Sequence, residues 1–285
     1  RQYGITCMES GKYEDAVKAF QNALGESIGH IGEKELDICF YKAKAQALDG
    51  KTKDALATYN AIIKYNKDAR AYYLRGDLYM DMGEEKKGRA DFESAVQQGK
   101  KNYEIYIGIY ESLSRHEKKD EGQKYLSAAM EIKGDKPEDE LYKGRISYLL
   151  GEKKDAISYL EKAKEHKQML ASYYLGLAYD ANGDSDKAKK CIAEYIKSGV
   201  ATSYDLYELG MQEMQDGNYK NALTYFNSGL ELEKVPNKQN LMKSAIAAYE
   251  YSGDFDSAKK MMKEYLKAYP DDEEAKHENT FLETR

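Results

Sequence analysis

Small residues recur along the chain at intervals close to 34 residues and set the phase of its hydrophobic pattern. Four places after each of them stands a bulky apolar residue, and three places later a residue that is usually small. The eight recurring residues are Ala16, Ala55, Gly88, Gly122, Ala156, Ala188, Ala222 and Ala258. Offsets of four and three residues bring side chains to one face of an α-helix. The pattern therefore predicts eight helices, each with a face that lets another helix approach closely.

A second set of small residues lies upstream of the first and predicts the partner helix of each pair. It comprises Gly4, Ala43, Gly76, Gly108, Gly144, Gly176 and Gly210, and its eighth place falls at Ile246 within a run of small residues. A glycine stands between the two small positions in every unit except the fourth: Gly11, Gly50, Gly83, Gly151, Gly183, Gly217 and Gly253. Glycine just past a helix takes the left-handed conformation that ends it. Each unit is therefore predicted as helix, tight turn, helix.

Three segments carry the most specific form of the pattern. They are Leu175-Gly176 and Tyr179 followed by Ala188 and Ile192, Leu209-Gly210 followed by Ala222 and Phe226, and Gly76 and Tyr79 followed by Gly88 and Phe92. In these positions the chain resembles the tetratricopeptide repeat, whose frame is about 34 residues long. The family's tryptophan is replaced throughout, and its closing proline survives only as Pro270. The resemblance implies an all-α fold, a right-handed α-solenoid (superhelix) of stacked antiparallel helix pairs.

The frame divides the chain into a solenoid of residues 1–272 and a tail of residues 273–285. The predicted units are approximately 1–35, 36–68, 69–100, 101–136, 137–168, 169–202, 203–238 and 239–272. We expect the tail to form a capping helix, with a frayed end as the alternative. About five extra residues between the first two units, within the stretch from Gly25 to Lys34, predict a mobile loop.

Composition supports this prediction and limits the classes of partner. The chain has 3 prolines, which break helix interiors, and 33% charged residues. Its net charge is −6 with lysines dispersed among acids, so we expect no nucleic-acid partner. The 3 cysteines lack CxxC spacing and are predicted to be free thiols. No run of 18 or more apolar residues occurs, so no transmembrane segment is predicted in this chain.

Tyrosine is unusually frequent, with 27 residues against no tryptophan. By resemblance to the family, the first helix of each pair lines the concave side of the solenoid, and its outward positions follow from the frame. We predict that a protein or peptide partner contacts this side at Tyr41, Lys44, Tyr73, Asp77, Tyr106, Tyr142, Arg145, Tyr173, Tyr174, Tyr207 and Met211. A tyrosine offers a large stiff ring and a hydroxyl, which suits an interface. For Tyr73, Tyr173 and Tyr207 we give equal weight to the alternative that the ring packs between neighbouring units. For Tyr106, Tyr142 and Tyr174 we favour a role at the surface.

The predicted function is therefore a protein–protein interaction scaffold that binds a peptide or protein segment in a tyrosine-rich groove. Two alternatives stay open. One is a structural solenoid that associates with itself through its exposed ends, and the other is a carbohydrate- or ligand-binding module of a cell-envelope protein. A co-chaperone role is disfavoured, because the family's clamp for acidic tails needs an asparagine in the first helices. That place holds Tyr41, Leu74, Tyr106, Tyr142, Tyr174 and Glu208 in successive units.

No motif for catalysis, metal binding or phosphate binding occurs in the sequence. The histidines His30, His116, His166 and His277 are far apart, and none has a second histidine or a cysteine at metal-binding spacing. We therefore predict no enzymatic activity, no metal and no cofactor.

The chain begins at Arg1 and not at a methionine, and its first helix starts partway along the expected length. We infer that an upstream segment was removed, and a signal or lipid-anchor leader is the commonest reason. This favours a bacterial lipoprotein held outside the cytoplasm. A cytoplasmic location, or a further upstream helix, is the alternative.

Overall fold

The computed structural model describes residues 1–26, 31–134 and 136–285. Within them the chain forms seventeen α-helices and no strand, which confirms the all-α prediction. The helices are α1 (Gln2–Glu9), α2 (Tyr13–Gly25), α3 (Glu33–Leu48), α4 (Thr52–Asn66), α5 (Ala69–Asp81), α6 (Glu85–Gln98), α7 (Tyr103–Arg115), α8 (Lys119–Met130), α9 (Pro137–Leu150), α10 (Lys153–Glu165), α11 (Leu170–Ala181), α12 (Ser185–Lys197), α13 (Ser203–Gln215), α14 (Tyr219–Leu230), α15 (Lys238–Tyr251), α16 (Phe255–Ala268) and α17 (Glu273–Leu282). Consecutive helices pack as pairs from α1–α2 to α15–α16.

The tight turns inside the pairs form where the glycines predict them. Gly83 and Gly253 have φ of +75° and +80°, in the left-handed region that favours glycine. In the fourth pair, which lacks a turn glycine, Glu117 takes the same conformation at φ +61°. The Lys118 amide then donates to the carbonyl of Leu113, five residues earlier, at 2.8 Å. The residue after each turn glycine forms the same backbone hydrogen bond. The fourth pair therefore keeps its turn, with a strained residue in place of glycine.

Close contact between paired helices depends on the recurring small residues. A Cβ atom on Gly144 would lie 2.5 Å from Cγ of Leu160, and one on Gly210 would lie 2.3 Å from Cε1 of Phe226. Both bulky side chains are completely buried. The eight small residues of the second helices are also buried, as the pattern predicts.

The helices form two compact units. Residues 1–197 hold the six pairs α1 to α12, and residues 198–285 hold α13 to α17. In each unit the apolar core lies between successive helices of the stack and is not gathered around one centre. The boundaries predicted for the eight repeats, and for one domain of residues 1–272, stay predictions.

The end of the chain forms the helix α17, whose N-terminus is capped by Asp272. The Asp272 carboxylate accepts hydrogen bonds from the Ala275 amide and the Tyr265 hydroxyl, at 3.1 and 2.5 Å, and the Lys243 ammonium lies 2.9 Å away. These contacts hold the pKa of Asp272 well below its usual value, with the Tyr265 hydroxyl as the main cause. Leu282, at the other end of α17, is completely buried against the last pair. The helix α17 therefore covers the end of the second unit.

The mobile loop predicted within the stretch from Gly25 to Lys34 lies partly outside the described residues, since 27–30 are not among them, and so does His30. On either side of that gap, α2 ends at Gly25 and α3 begins at Glu33. Within the part of the chain that the structure describes, every helix is too short or too polar to cross a membrane.

Candidate functional site

A cavity of about 470 Å³ lies between α3 and α5 in the first unit. We call it the α3–α5 cavity. Its lining residues are Asp37, Phe40, Tyr41, Lys44, Ala47, Leu48, Tyr59, Arg70, Leu74, Asp77, Leu78 and Asp81. Three of the predicted partner contacts, Tyr41, Lys44 and Asp77, are therefore brought together here by two successive first helices.

The floor of the α3–α5 cavity is apolar and well packed. Phe40 and Tyr59 are both buried, and the Arg70 guanidinium carbon lies 3.5 Å from the centroid of the Phe40 ring. Burial raises the pKa of Tyr59, so its hydroxyl stays neutral at physiological pH. At the rim, Leu48 is 49% exposed. An incoming apolar side chain could bury this surface, which is the main source of favourable free energy in such contacts.

The rim carries charges of both signs. A guanidinium nitrogen of Arg1 lies 2.6 Å from Asp37, and the Arg1 guanidinium carbon is 5.2 Å from the centre of the Tyr41 ring. Lys44 is exposed and has no hydrogen-bond or ion-pair partner among the described residues. Lys44 is therefore one cation at this cavity that is available to a ligand, and the other is Arg70, which is also exposed and lies on the Phe40 ring.

Asp77 belongs to an ion-pair network that joins α5 to the end of α7. Arg115 donates to Asp77 at 2.6 Å and lies 3.8 Å from Asp81, while Nε2 of His116 is 3.1 Å from Asp81. Potential ligand atoms of the two carboxylates and His116 lie within 4.8 Å of one another. A divalent cation could enter this group only if Arg115 left, because its guanidinium already balances the carboxylates.

Arg145 forms a second link between first helices. It donates to Glu111 on α7 at 2.9 Å and to Glu104 at 3.4 Å, and its guanidinium carbon lies 5.4 Å from the centre of the Tyr174 ring. Tyr142 stacks on a tyrosine of α7 with ring centroids 5.1 Å apart. Three predicted partner contacts, Tyr142, Arg145 and Tyr174, are therefore half-buried residues that join adjacent pairs.

Two predicted contacts are buried and do not offer an accessible ring. Tyr106 is 5% exposed, and its hydroxyl donates to the carbonyl of Lys100 at 3.1 Å. Tyr173 is 9% exposed and packs against Tyr195, with ring centroids 5.2 Å apart. The expectation of a surface role for Tyr106 is therefore wrong, because neighbouring helices cover its ring. Tyr195 lies on α12, the partner of α11, so this contact is within one pair, and packing of Tyr173 between units stays a prediction.

Tyr73 also fills space between pairs. A Cβ atom on Gly108 would lie 2.6 Å from Cζ of Tyr73, so the ring rests on the α7 backbone. The last two predicted contacts lie in the second unit. There Tyr207 is half-buried beside Phe226, and the Ser244 hydroxyl donates to the sulfur of Met211 at 3.6 Å.

The sequence pattern missed several lining residues of the α3–α5 cavity. Leu48 and Asp81 stand at the ends of their helices, five places after the small residues Ala43 and Gly76. The predicted outward positions end one place after each small residue. The same face continues for one more helical turn and includes Leu48 and Asp81, since residues four apart share a face.

Comparison with known proteins identifies the repeat. Models of the tetratricopeptide repeat match residues 5–64, 42–103, 170–198 and 239–272. No curated protein sequence matches the chain. Among solved structures, a tetratricopeptide repeat protein from Parabacteroides merdae is similar with a TM-score of 0.51 and 12% identity, over 87% of this chain and 96% of that one.

A second similar structure is PilW, described as a widely conserved type IV pilus biogenesis factor. It has a TM-score of 0.48 and 18% identity, over 73% of this chain and 97% of that one. At such identities the likeness to the Parabacteroides merdae protein shows the fold alone.

Proposed function

Because the chain belongs to the tetratricopeptide repeat family, we propose that it is an interaction scaffold whose α3–α5 cavity holds a side chain of a bound protein segment. The chain would act by binding and not by catalysis. The observation that carries this proposal is the combination of an apolar floor, an exposed Leu48 and an available Lys44 in one cavity.

The neighbouring contacts support a preformed site. Phe40 and Tyr59 are buried, so the floor of the cavity is in place before a ligand arrives, and Asp37 and Asp77 are already paired with Arg1 and Arg115. A preorganised site loses less conformational freedom on binding. An apolar side chain flanked by an acidic residue would suit the cavity, since one wall offers apolar area and Lys44 offers a positive charge.

The test uses a displayed library of random peptides selected on the full chain. We expect the selected peptides to carry an apolar residue beside an acidic one. Their affinity should fall at least about tenfold in the double variant Leu48→Gln, Lys44→Glu, because it removes both exposed contacts. Fluorescence anisotropy of the labelled peptides measures the change.

The matched control is the double variant Met82→Gln, Lys53→Glu. Met82 is 46% exposed and Lys53 is exposed, and both lie outside the cavity. Its affinities should equal those of the parent chain. Peptides that bind both double variants equally well would show that the cavity is not the binding site. Light scattering on the free chain would identify self-association as the competing role.

A further inference from the structure

A second cavity, of about 410 Å³, lies in the second unit between α15, α16 and α17. We call it the α15–α17 cavity. Its lining residues are Lys243, Ile246, Ala247, Glu250, Tyr251, Met262, Tyr265, Glu274, Ala275 and Glu278. Three carboxylates thus face one ammonium group around a partly apolar space.

The single lysine does not balance these acids. Its ammonium nitrogen lies 2.9 Å from Asp272, outside the lining, and 3.5 Å from Glu274 at the rim. Glu250 and Glu278 have no cation in contact among the residues that the structure describes. Glu250 and Glu278 are therefore two neighbouring acids of the cavity without a cationic partner in the described part of the chain.

Glu250 is in an unfavourable environment for a carboxylate. Its Oε1 atom is buried without a hydrogen-bond partner among the described residues. Burial raises the pKa of Glu250, and the adjacent Glu278 carboxyl raises it further. The groups that face it are Glu278 and Glu274 from α17, Tyr265 from α16 and Lys243 from its own helix. A cation placed beside both Glu250 and Glu278 would satisfy the buried oxygen and offset the repulsion between the two carboxylates.

The walls indicate which cation fits best. Ile246 and Met262 are buried and apolar, and Tyr251 is 67% exposed at the same cavity. An arginine side chain combines an apolar stem with a planar guanidinium that bonds to two carboxylates and stacks on an aromatic ring. A lysine ammonium offers neither the planar geometry nor the stacking.

We propose that the α15–α17 cavity binds an arginine side chain of a partner polypeptide. This site is independent of the α3–α5 cavity and carries the opposite charge preference. Guanidinium nitrogens would donate to Glu250 and Glu278, the stem would lie on Ile246 and Met262, and the ring of Tyr251 would cover the outer face.

The experiment titrates the full chain with a blocked peptide, Ala-Ala-Arg-Ala-Ala, and with the same peptide carrying lysine or the neutral isostere citrulline. Chemical shifts of the protein amides report binding. We expect the arginine peptide to bind with a dissociation constant of about 1 mM or below, and the citrulline peptide at least about tenfold more weakly. Affinity should rise with pH through the raised pKa of Glu250, because the guanidinium binds its ionised form.

Two variants separate a ligand site from a structural role. Glu250→Gln and Glu278→Gln should each weaken the arginine peptide at least about tenfold. Glu250→Gln should also raise the melting temperature at neutral pH, since the raised pKa of Glu250 means that its ionisation destabilises the fold as pH rises. The exposed Glu264→Gln on α16 is the control and should change neither quantity.

Equal binding of the arginine and citrulline peptides would overturn the proposal, as would full binding by both glutamine variants. Absence of shifts up to about 10 mM peptide would also overturn it. Tighter binding of free agmatine than of the peptide would overturn the assignment to a polypeptide and indicate a small cation as the ligand. None of these results bears on the α3–α5 cavity, whose test uses different variants.

Discussion

Glycine in the first helix of a pair leaves room for one bulky side chain of the second. The contact between Gly144 and Leu160 shows why the residue cannot be larger, because the space that a Cβ atom needs is already filled. Gly25 is a helical glycine that also lies in residues 1–197, and no atom of the described residues lies within 4 Å of its Cβ position. Both residues are helical glycines, but the space beside Gly144 is filled and the space beside Gly25 is open.

We therefore predict that Gly144→Ala destabilises the fold by about 1–3 kcal/mol, through displacement of Leu160. Urea denaturation followed by circular dichroism measures this change. Gly25→Ala is the control and should be neutral or stabilising by up to about 1 kcal/mol, since alanine has the better helix propensity. A neutral Gly144→Ala would mean that the helices separate easily at this contact.

Individual tyrosines show where prediction from sequence fails. Tyr106 and Tyr142 stand at equivalent places of successive repeats, yet Tyr106 is buried and Tyr142 is half-buried. Burial of these rings is decided by residues of neighbouring pairs, as when Tyr142 stacks on Tyr103. Such contacts join residues more than 30 places apart in the sequence, and the repeat pattern does not predict them.

At the scale of elements, helices and turns follow from local pattern, whereas the connections between pairs do not. Seven turn glycines and the small residues fix where each pair folds back. Glu117 shows that the stack imposes the same turn even where the sequence lacks its glycine. The ion pairs of Arg115 and Arg145 join residues 34 to 41 places apart. They could be recognised only once the helices were placed.

The last helix, α17, covers the final pair and gives an element-scale prediction. Leu282 is fully buried, whereas its neighbour Phe281 is 45% exposed. Leu282→Ala should cost about 2–4 kcal/mol, because it leaves a cavity beside Met262 and Tyr265. Phe281→Ala should cost less than about 1 kcal/mol despite the larger ring. Thermal unfolding of both variants tests this, and equal losses would show that α17 does not seal the core.

At the scale of the whole molecule, the two compact units differ in size and in their candidate sites. Residues 1–197 contain the α3–α5 cavity, and residues 198–285 contain the α15–α17 cavity. In a stack each helix pair is stabilised mainly by its neighbours, so a segment with complete pairs keeps its own core.

We predict that residues 1–197 expressed alone are helical and unfold in a cooperative transition. The matched control is residues 1–184, which lacks α12 and so exposes Leu175 and Ala178 of α11. It should melt at a lower temperature, because α11 has lost its partner helix. Circular dichroism melts compare the two. A longer fragment that melts no higher than the shorter one would contradict this view of the core.

The links made by Arg115 and Arg145 are charged contacts between successive first helices of the first unit. Each arginine forms ion pairs with acidic residues on the preceding first helix, and these ion pairs are partly open to solvent. Dissolved ions weaken such pairs, whereas they leave the buried glycine contacts inside each pair untouched. In the first unit, raising the ionic strength should therefore weaken these ion pairs between helix pairs, whereas apolar contacts between pairs, such as the Tyr73 ring on the Gly108 backbone, remain.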